Sequence, residues 1–449
     1  MALMVTCTTM VLCGADEPNV PKGKQPNLLV DVSAGLVNAV VQRPVDRTEP
    51  IEDVILDTPI RGEGRTQGMV WAELCPDTCH ISLDVIFRGK VCGQSVAIRP
   101  HVLIYGSSTT SVEVRRRVAI DAERIRVMAG PSDARTFARV HEITNRNGDT
   151  YTAATQFAWL DAAGRKDEAQ DEAAGKTARR VSNRIADDLT PVLTSVSENV
   201  ARGMSEMKKA KLTLDFLDFH TTAGFLHVRG RLATPGRVQA GPPLPLPADT
   251  DLGLRVHQSL INETAQALMG GKSFNLLDLK KLTNRATSWL LRENGKSIDP
   301  NDSQKSLEKM LTDLAIKTTS ITFARQDPLV VTFAGQEIKV EIQVASFHSD
   351  GKESPGLRLH AAYRLEVSSA GVHAVRKGPL LFEENMLKNT EKRPNSFRQL
   401  QELAFADVLR DRFVLGPFPI PESTGARQLR PSRADAVNGW MALSWTVEP

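Results

Sequence analysis

The hydrophobic positions of the chain switch between two periods, and the switches divide it. From Asp31 to Val41 the run DVSAGLVNAVV puts Val32, Leu36, Val37 and Val40 on one side of a short helix, which Pro44 ends. From about Ile51 to Val127 the pattern becomes alternating. GMVWAELC, HISLDVIF, SVAIRPHVLIY, TSVEVRRRVAI and ERIRV are separated by short turn-forming stretches, which predicts a meander of long antiparallel strands. Residues 132–165 are only partly periodic. Across 171–210 a helical stripe follows, made by Val181, Ile185, Leu189, Val192, Val196, Val200, Met204 and Met207 at steps of three and four, with Pro191 inside as a predicted kink. Strand-like KLTLDFLDFHTT and GFLHVRGRLA come next, so the favoured reading lays this helix along a curved sheet. The other use of the stripe is self-association, or contact with envelope proteins, through Val181, Ile185, Val196 and Val200.

Residues 234–248, TPGRVQAGPPLPLPA, are too rich in proline for regular structure and read as a stiff linker. Beyond it Leu252, Val256, Leu260, Ile261 and Leu268 mark an amphipathic helix. Two more are expected at about 275–291 and 303–316, the second capped by Asp302. Residues 320–382 alternate again, a helix is expected near 395–411, and GWMALSWTV closes the chain as a strand. Val32, Leu36, Val37 and Asn38 match Val256, Leu260, Ile261 and Asn262 at a constant spacing of 224 residues. The expected organisation is a lead-in over 16–30, a first α+β domain over 31–233 holding the long helix, a linker at 234–250 and a second α+β domain over 251–449. The fold class is α+β, in two halves, each a long curved antiparallel β meander packed on amphipathic helices.

With 449 residues the chain exceeds one ordinary core. Lys and Arg number 56 against 53 Asp and Glu, a balance that excludes a dedicated nucleic-acid binder. Only 5% of residues are aromatic, which argues against a surface built of stacked rings. The first fifteen residues, MALMVTCTTMVLCGA, carry no charge. They are too short to span a bilayer, which takes about 20 residues. They suit a signal peptide, with Cys13 and Ala15 at the small-residue positions before a cut at Asp16. The expectation is an exported protein, periplasmic or extracellular, with no transmembrane segment in the mature chain. Removal of the signal leaves three cysteines. Cys75 and Cys79 flank Pro76-Asp77-Thr78, and a hairpin about that triplet sets them opposite each other, with Glu73 facing Ile81, Trp71 facing Leu83 and Met69 facing Val85. A Cys75–Cys79 disulfide is therefore expected; half a zinc site with His80 is the alternative, and it lacks a second ligand pair. Cys92 is expected to be a buried thiol.

Catalytic signatures are sparse. Gly270 to Ser273 read GGKS, but a phosphate loop needs glycine where Gln266 stands, and a helix precedes it. Cys79 and His80 are neighbours that a strand would point to opposite faces. Asp218, His220 and His227 share one side of consecutive strand segments, either as a metal or acid–base cluster or as an ordinary polar face. Arg115, Arg116 and Arg117, with Arg124 and Arg126, offer either a polyanion site or a charged face that discourages strand pairing. No cofactor and no metal site are expected.

The order of these elements resembles the tubular lipid-binding superfamily, the fold of bactericidal permeability-increasing protein and its relatives. That resemblance implies a strongly curved sheet around a long helix, often in tandem, enclosing an apolar groove. The segments RPVDRTEPIEDVILDTPIRGEGRT and SSTTSVEVRRRVAID are also similar to uncharacterised exported envelope proteins of planctomycete-type bacteria, which implies no activity. The reading that follows is an exported, non-catalytic protein that binds a lipid or other apolar ligand in a sheet–helix groove. Its lining would be Trp71, Leu83, Val85 and Phe87 in the first half, and Leu260, Ile342 and Tyr363 in the second. A structural or protein-interaction component of the cell envelope is the alternative, and an enzyme of unrecognised type a second one.

The leader reading has a direct check. The intact mass of the secreted protein should correspond to a chain that begins at Asp16; retention of the first fifteen residues would remove it.

Overall fold

A computed structural model describes residues 25–121, 124–209, 214–232, 240–275, 320–349, 352–384, 405, 409–420 and 428–448. The expected signal peptide lies outside them. The fold is α+β, dominated by antiparallel strands. Two compact units are formed: Val37–Glu198 with Thr221–Phe225, and Met1–Leu36 with Asn199–His220 and Leu226–Pro449.

The chain starts with β1 (Leu28–Ser33) and α1 (Ala34–Val41). The unit beginning at Val37 then builds a meander in sequence order: β2 (Arg43–Ile55), β3 (Thr58–Leu74), β4 (Ile81–Ile98), β5 (Val102–Ile120) and β6 (Ile125–Asn145). Helices α2 (Ala153–Gly164) and α3 (Lys166–Lys209) follow. The 44 residues of α3 are matched in length to the 21 of β6, both about 65–70 Å at standard rises. Val45 of β2, Val70 of β3, Phe87 of β4, Val114 of β5 and Val127 of β6 share one apolar cluster with Ala178, Val181, Ile185 and Leu189 of α3. Side chains of all five strands and of α3 thus share one apolar core. Glycines permit the crowding. A Cβ on Gly89 would lie 2.8 Å from Gly68 Cα and 2.6 Å from the Phe87 ring.

Ion pairs set α3 along the β2 edge: Arg180 to Asp53 at 2.7 Å, Lys176 to Asp53 at 3.4 Å and Arg47 to Asp188 at 3.3 Å. These half-exposed pairs contribute alignment more than stability. Val181 and Ile185 pack on the sheet, in line with the favoured reading of the stripe, so they are not available for the alternative, self-association. Leu193 packs into the same cluster while Val192 is exposed; Val196 is half-buried, and the side chain of Val200 lies outside the described residues. Pro191 sits within the continuous helix. The arginine run alternates as a strand must. Arg115 and Arg117 pair with Glu73 and Asp84 on the outer face, and Arg116 turns inward to the Ser182 carbonyl of α3.

The β3–β4 connection differs from expectation. Trp71 faces Ile86, Glu73 faces Asp84 and Leu74 faces Leu83, a shift of three residues from the tight-turn register. The cause is Asp77. Its carboxylate accepts from the Cys79 and His80 amides, and its backbone exchanges two hydrogen bonds with Thr221. The turn is opened into a loop. Cys75 and Cys79 are both free thiols, and Arg117 Nη2 donates to Cys75 Sγ at 3.3 Å. The expected disulfide is absent from this register. Cys92 is exposed, not buried, because it falls on the outer face beside Thr109.

Strands β7 (Leu214–Thr221) and β8 (Phe225–Leu232) return the chain to β1. Past the Pro-rich stretch come β9 (Leu252–His257), α4 (Gln258–Met269), β10 (Ser273–Asn275), β11 (Ser320–Phe323), β12 (Leu329–Ala334), β13 (Glu337–Ser349), β14 (Lys352–Ser368), β15 (Gly371–Arg376), β16 (Leu381–Glu384), β17 (Arg412–Leu415), β18 (Phe418–Pro419), β19 (Gln428–Val437) and β20 (Trp440–Val447). Strands β10 to β17 make an eight-stranded sheet. The other sheet has seven strands in the order β18-β19-β20-β9-β1-β8-β7. Apart from β18, which has no counterpart beyond β7, that order is symmetric about the β9–β1 pair.

The symmetry extends to single residues. Val30 faces Leu254, and these two are separated by the same 224 residues as the sequence match. The Ser33 amide donates to the Asp251 carbonyl at 2.8 Å, and its counterpart, the His257 amide, donates to the Asn27 carbonyl at 2.9 Å. Ser33 Oγ caps α1 and His257 Nδ1 caps α4. Asn38 brackets the backbone of Ala72, accepting from its amide and donating to its carbonyl, both at 2.8 Å. Asn262 does the same to Val331, at 2.7 and 3.1 Å. The matched asparagines are thus equivalent clamps of a helix on a strand.

Residues 240–247 of the Pro-rich stretch are packed, not free. Gly241 O accepts from the Trp440 indole at 3.0 Å, and Ala240 and Leu244 join Leu29 and Trp440 in an apolar cluster. The helices expected within 276–319, and nearly all of that at 395–411, lie outside the described residues; Phe405 and Leu409 of the last are buried in the core of the eight-stranded sheet. Among the described residues no helix is long and apolar enough to cross a membrane.

Asn38→Ala and Asn262→Ala are each expected to lower stability by about 1–3 kcal/mol, because each leaves a backbone donor and acceptor unpaired. Chemical denaturation checks this, and Asn→Asp, which keeps the acceptor alone, should fall between.

Candidate functional site

The residues expected to line a groove are divided by the structure. Leu83, Val85 and Phe87 point inward and fill the space between the five-stranded sheet and α3. Trp71 lies on the outer face, under Arg88, and donates to Glu73 Oε1 at 3.2 Å. The shifted register explains the separation, since three residues of slip reverse a strand's faces. Ile342 and Tyr363 are buried with Phe323, Phe347 and Leu359 in the core of the eight-stranded sheet. Burial pushes the Tyr363 hydroxyl up to about 12. Leu260 is half-buried on α4. Apart from Trp71 and Leu260, these side chains belong to packed cores.

The histidines do come together. Their rings lie 5.1 Å apart on β7 and β8. His227 Nδ1 is 2.8 Å from Asp31 Oδ1, and Arg255 Nη2 donates to Asp31 Oδ2 at 2.6 Å. Arg255, Asp31, His227 and His220 thus form a polar row across β9, β1, β8 and β7. Arg255 Nη1 also donates to the Leu244 carbonyl, which ties residues 240–247 to the row. Both histidines and Asp31 are buried, so the row joins four strands and faces no solvent-filled site. Asp218, on β7, is pushed up by burial, with Arg229 opposing. Among the described residues no group of three or more His, Cys, Asp or Glu side chains is placed to hold a metal.

A cleft of about 280 Å3 lies on the eight-stranded sheet. Val330, Ala362 and Leu381 form part of its wall, and Lys339, Glu341, His360 and Lys377 make it polar. His360 stands 3.4 Å from Glu383 and 3.9 Å from Glu341. It is a charged trough and not an apolar tunnel.

The most unusual surface is α2, in the stretch that sequence periodicity left open. Its buried positions are small: Thr155 and Ala158, the latter packed on Val102 and Ile143 at the ends of β5 and β6. Its large apolar positions face water. Phe157 is 73% exposed, Leu160 72% and Trp159 42%, and Tyr151, just before the helix, is 93% exposed. Ala153, Phe157, Leu160 and Gly164 follow steps of four, three and four, an uncharged stripe on the outward side. A helix in a soluble fold normally turns such a stripe to the core. The helix is held firmly in this inverted setting. Thr152 and Thr155 form a reciprocal capping box, and Arg99 joins Asp161 of the helix to Thr58 of β3. Phe137 of β6, 65% exposed under Lys166, adds to the apolar surface of this unit. The only advance signal was the pairing of Phe157 and Leu160 with alanines on both sides of the helix, which does not tell which side is covered.

No family model matches the chain, and no curated protein matches it. Solved structures similar to it include the crystal structure of lipopolysaccharide binding protein, with 11% identity over 94% of this chain and 99% of that chain and a TM-score of 0.36. P47 from Clostridium botulinum A2 has 8% identity over 94% and 97%, with a TM-score of 0.21. P47 of Clostridium botulinum E1 has 9% identity over 94% and 99%, with a TM-score of 0.25. At such scores the functional reading has to stand on this chain's own geometry.

The buried row makes a stability prediction. Arg255→Leu should cost about 3–5 kcal/mol, because Asp31 loses the cation that compensates its burial. Adding Asp31→Leu should recover part of the loss, a coupling that a double-mutant cycle by thermal denaturation will measure.

Proposed function

We propose that this is an exported, non-catalytic protein that binds lipids or other amphiphiles, and that α2 supplies the binding surface. One observation carries the reading: α2 turns its small side chains to the fold and its large apolar ones to water. Each large apolar side chain left exposed forgoes about 1.5–3 kcal/mol of burial. A contiguous uncharged group of them marks an interaction site. The groove between sheet and α3 is a poorer location, because Phe87, Val114 and Ile185 already fill it. The element order, with five long strands packed on one long helix and two matched segments paired as β1 and β9, supports placing the chain beside the tubular lipid-binding proteins. The uncharged first fifteen residues support export. The sealed Asp31–His227–His220 row favours a non-catalytic role over an enzymatic one.

A short-chain phosphatidylcholine, kept below its micelle concentration, tests the reading by calorimetric titration of the full chain. Saturable binding is expected, and the Phe157→Asp, Leu160→Asp double variant should weaken it about tenfold or more. No binding, or equal binding by the variant, would overturn it.

A further inference from the structure

We infer that α2 docks the protein on the interfacial layer of a lipid bilayer, entering neutral phospholipid by apolar insertion and not by attraction of charge. This rests on the proposed lipid-binding reading and goes further, naming a membrane surface as what covers the stripe.

Three features of the helix point to this occupant. The first is the distribution of side-chain types. Phe157 and Leu160 form the centre of the exposed stripe, while Trp159 and Tyr151 stand to its side and at its start. Aliphatic and phenyl groups gain from hydrocarbon, and Trp and Tyr prefer the headgroup boundary. Trp440, Trp445 and Tyr363 are buried, and Tyr105, 36% exposed, is far less open than Tyr151.

The second feature is charge. Asp161 pairs with Arg99, and Glu168 with Arg165. In the sequence the flanking Arg146 and Lys166 are matched in number by Asp149 and Asp167. With cations and anions balanced, the surface offers no field to draw an anionic membrane or a charged protein partner, and apolar transfer is the remaining attraction.

The third is the helix start. Amides entering a medium of low dielectric must already be bonded. The Thr152 amide donates to Thr155 Oγ1 at 3.0 Å, and the Thr155 amide to Thr152 Oγ1 at 3.2 Å. Tyr151 and the first turn can therefore approach the interface with these donors satisfied.

Sedimentation of the full chain with phosphatidylcholine vesicles, with and without phosphatidylglycerol, tests the docking. Partition should be similar for both compositions, and should persist at about 0.5 M salt, where surface charges are screened. Phe157→Asp with Leu160→Asp should lower it about tenfold or more, with no change in melting temperature, since both side chains are mostly exposed. Brominated acyl chains should quench part of the tryptophan emission, and Trp159→Phe should remove that part. This second readout stands if the double variant misfolds. Binding restricted to anionic vesicles and lost at high salt overturns the inference. So does a concentration-dependent dimer that the double variant abolishes, which would show a second copy on the stripe. Wild-type protein that binds the short-chain phospholipid but ignores every vesicle overturns docking and leaves the lipid-binding reading standing. Failure with both removes both.

Discussion

The antiparallel pairing of β1 with β9 is the constraint on which the second unit depends. Val30 and Leu254 face each other as equivalent positions of two related segments. A strand paired with its own counterpart brings equivalent side chains close together across the symmetry point. Just beyond that point the equivalents are Asp31 and Arg255, and they form a buried ion pair. Burying two charges is expensive unless their other hydrogen-bonding groups are met. Here His227 and the Leu244 carbonyl meet some of them. The pair therefore specifies register, and it also recruits β8 and residues 240–247. From that register follow the flanking positions of β8 and β20, and outside them β7 and β19. The caps of α1 and α4 and the clamps made by Asn38 and Asn262 repeat the same plan on either side.

In the other unit a single helix plays the organising part. Helix α3 packs on one face of five long strands and shares one core with side chains from all of them. The close approach of Gly68 and Gly89, with the Phe87 ring laid against them, is possible only because neither position carries a Cβ. The arrangement has a consequence for function. Because side chains of the helix and sheet fill the interior, the large exposed apolar side chains of this unit lie on its surface, at α2.

Several features were legible in the residues. The alternation of Arg115, Arg116 and Arg117 between faces is a property of any strand, and the ion pairs follow it. The long helix and the order of the strands were readable because hydrophobic period is local. The match of Val32, Leu36, Val37 and Asn38 with Val256, Leu260, Ile261 and Asn262 was readable as a pattern, although its meaning, two asparagines clamping two strand backbones, needed the partners at Ala72 and Val331. The groove residues were less legible. Trp71 was grouped with Leu83 and Val85 on the assumption of a tight turn, and the slip of three residues put it on the other face.

The amino-acid order by itself determined the long helix and most strands, because φ/ψ preference and side-chain period act over a few residues; Val32 and Leu252–Val256, read as helical, lie instead in β1 and β9, where strand pairing overrides the local pattern. It also determined the twin segments whose equivalence the fold displays. Tertiary structure alone decided the β3–β4 register, since Asp77 is held by Thr221 from far along the chain, and with it the free state of Cys75 and Cys79. It alone decided which side of α2 is covered, because that helix has apolar residues all round, and only the ends of β5 and β6 select the small ones for the core and leave the large ones to solvent.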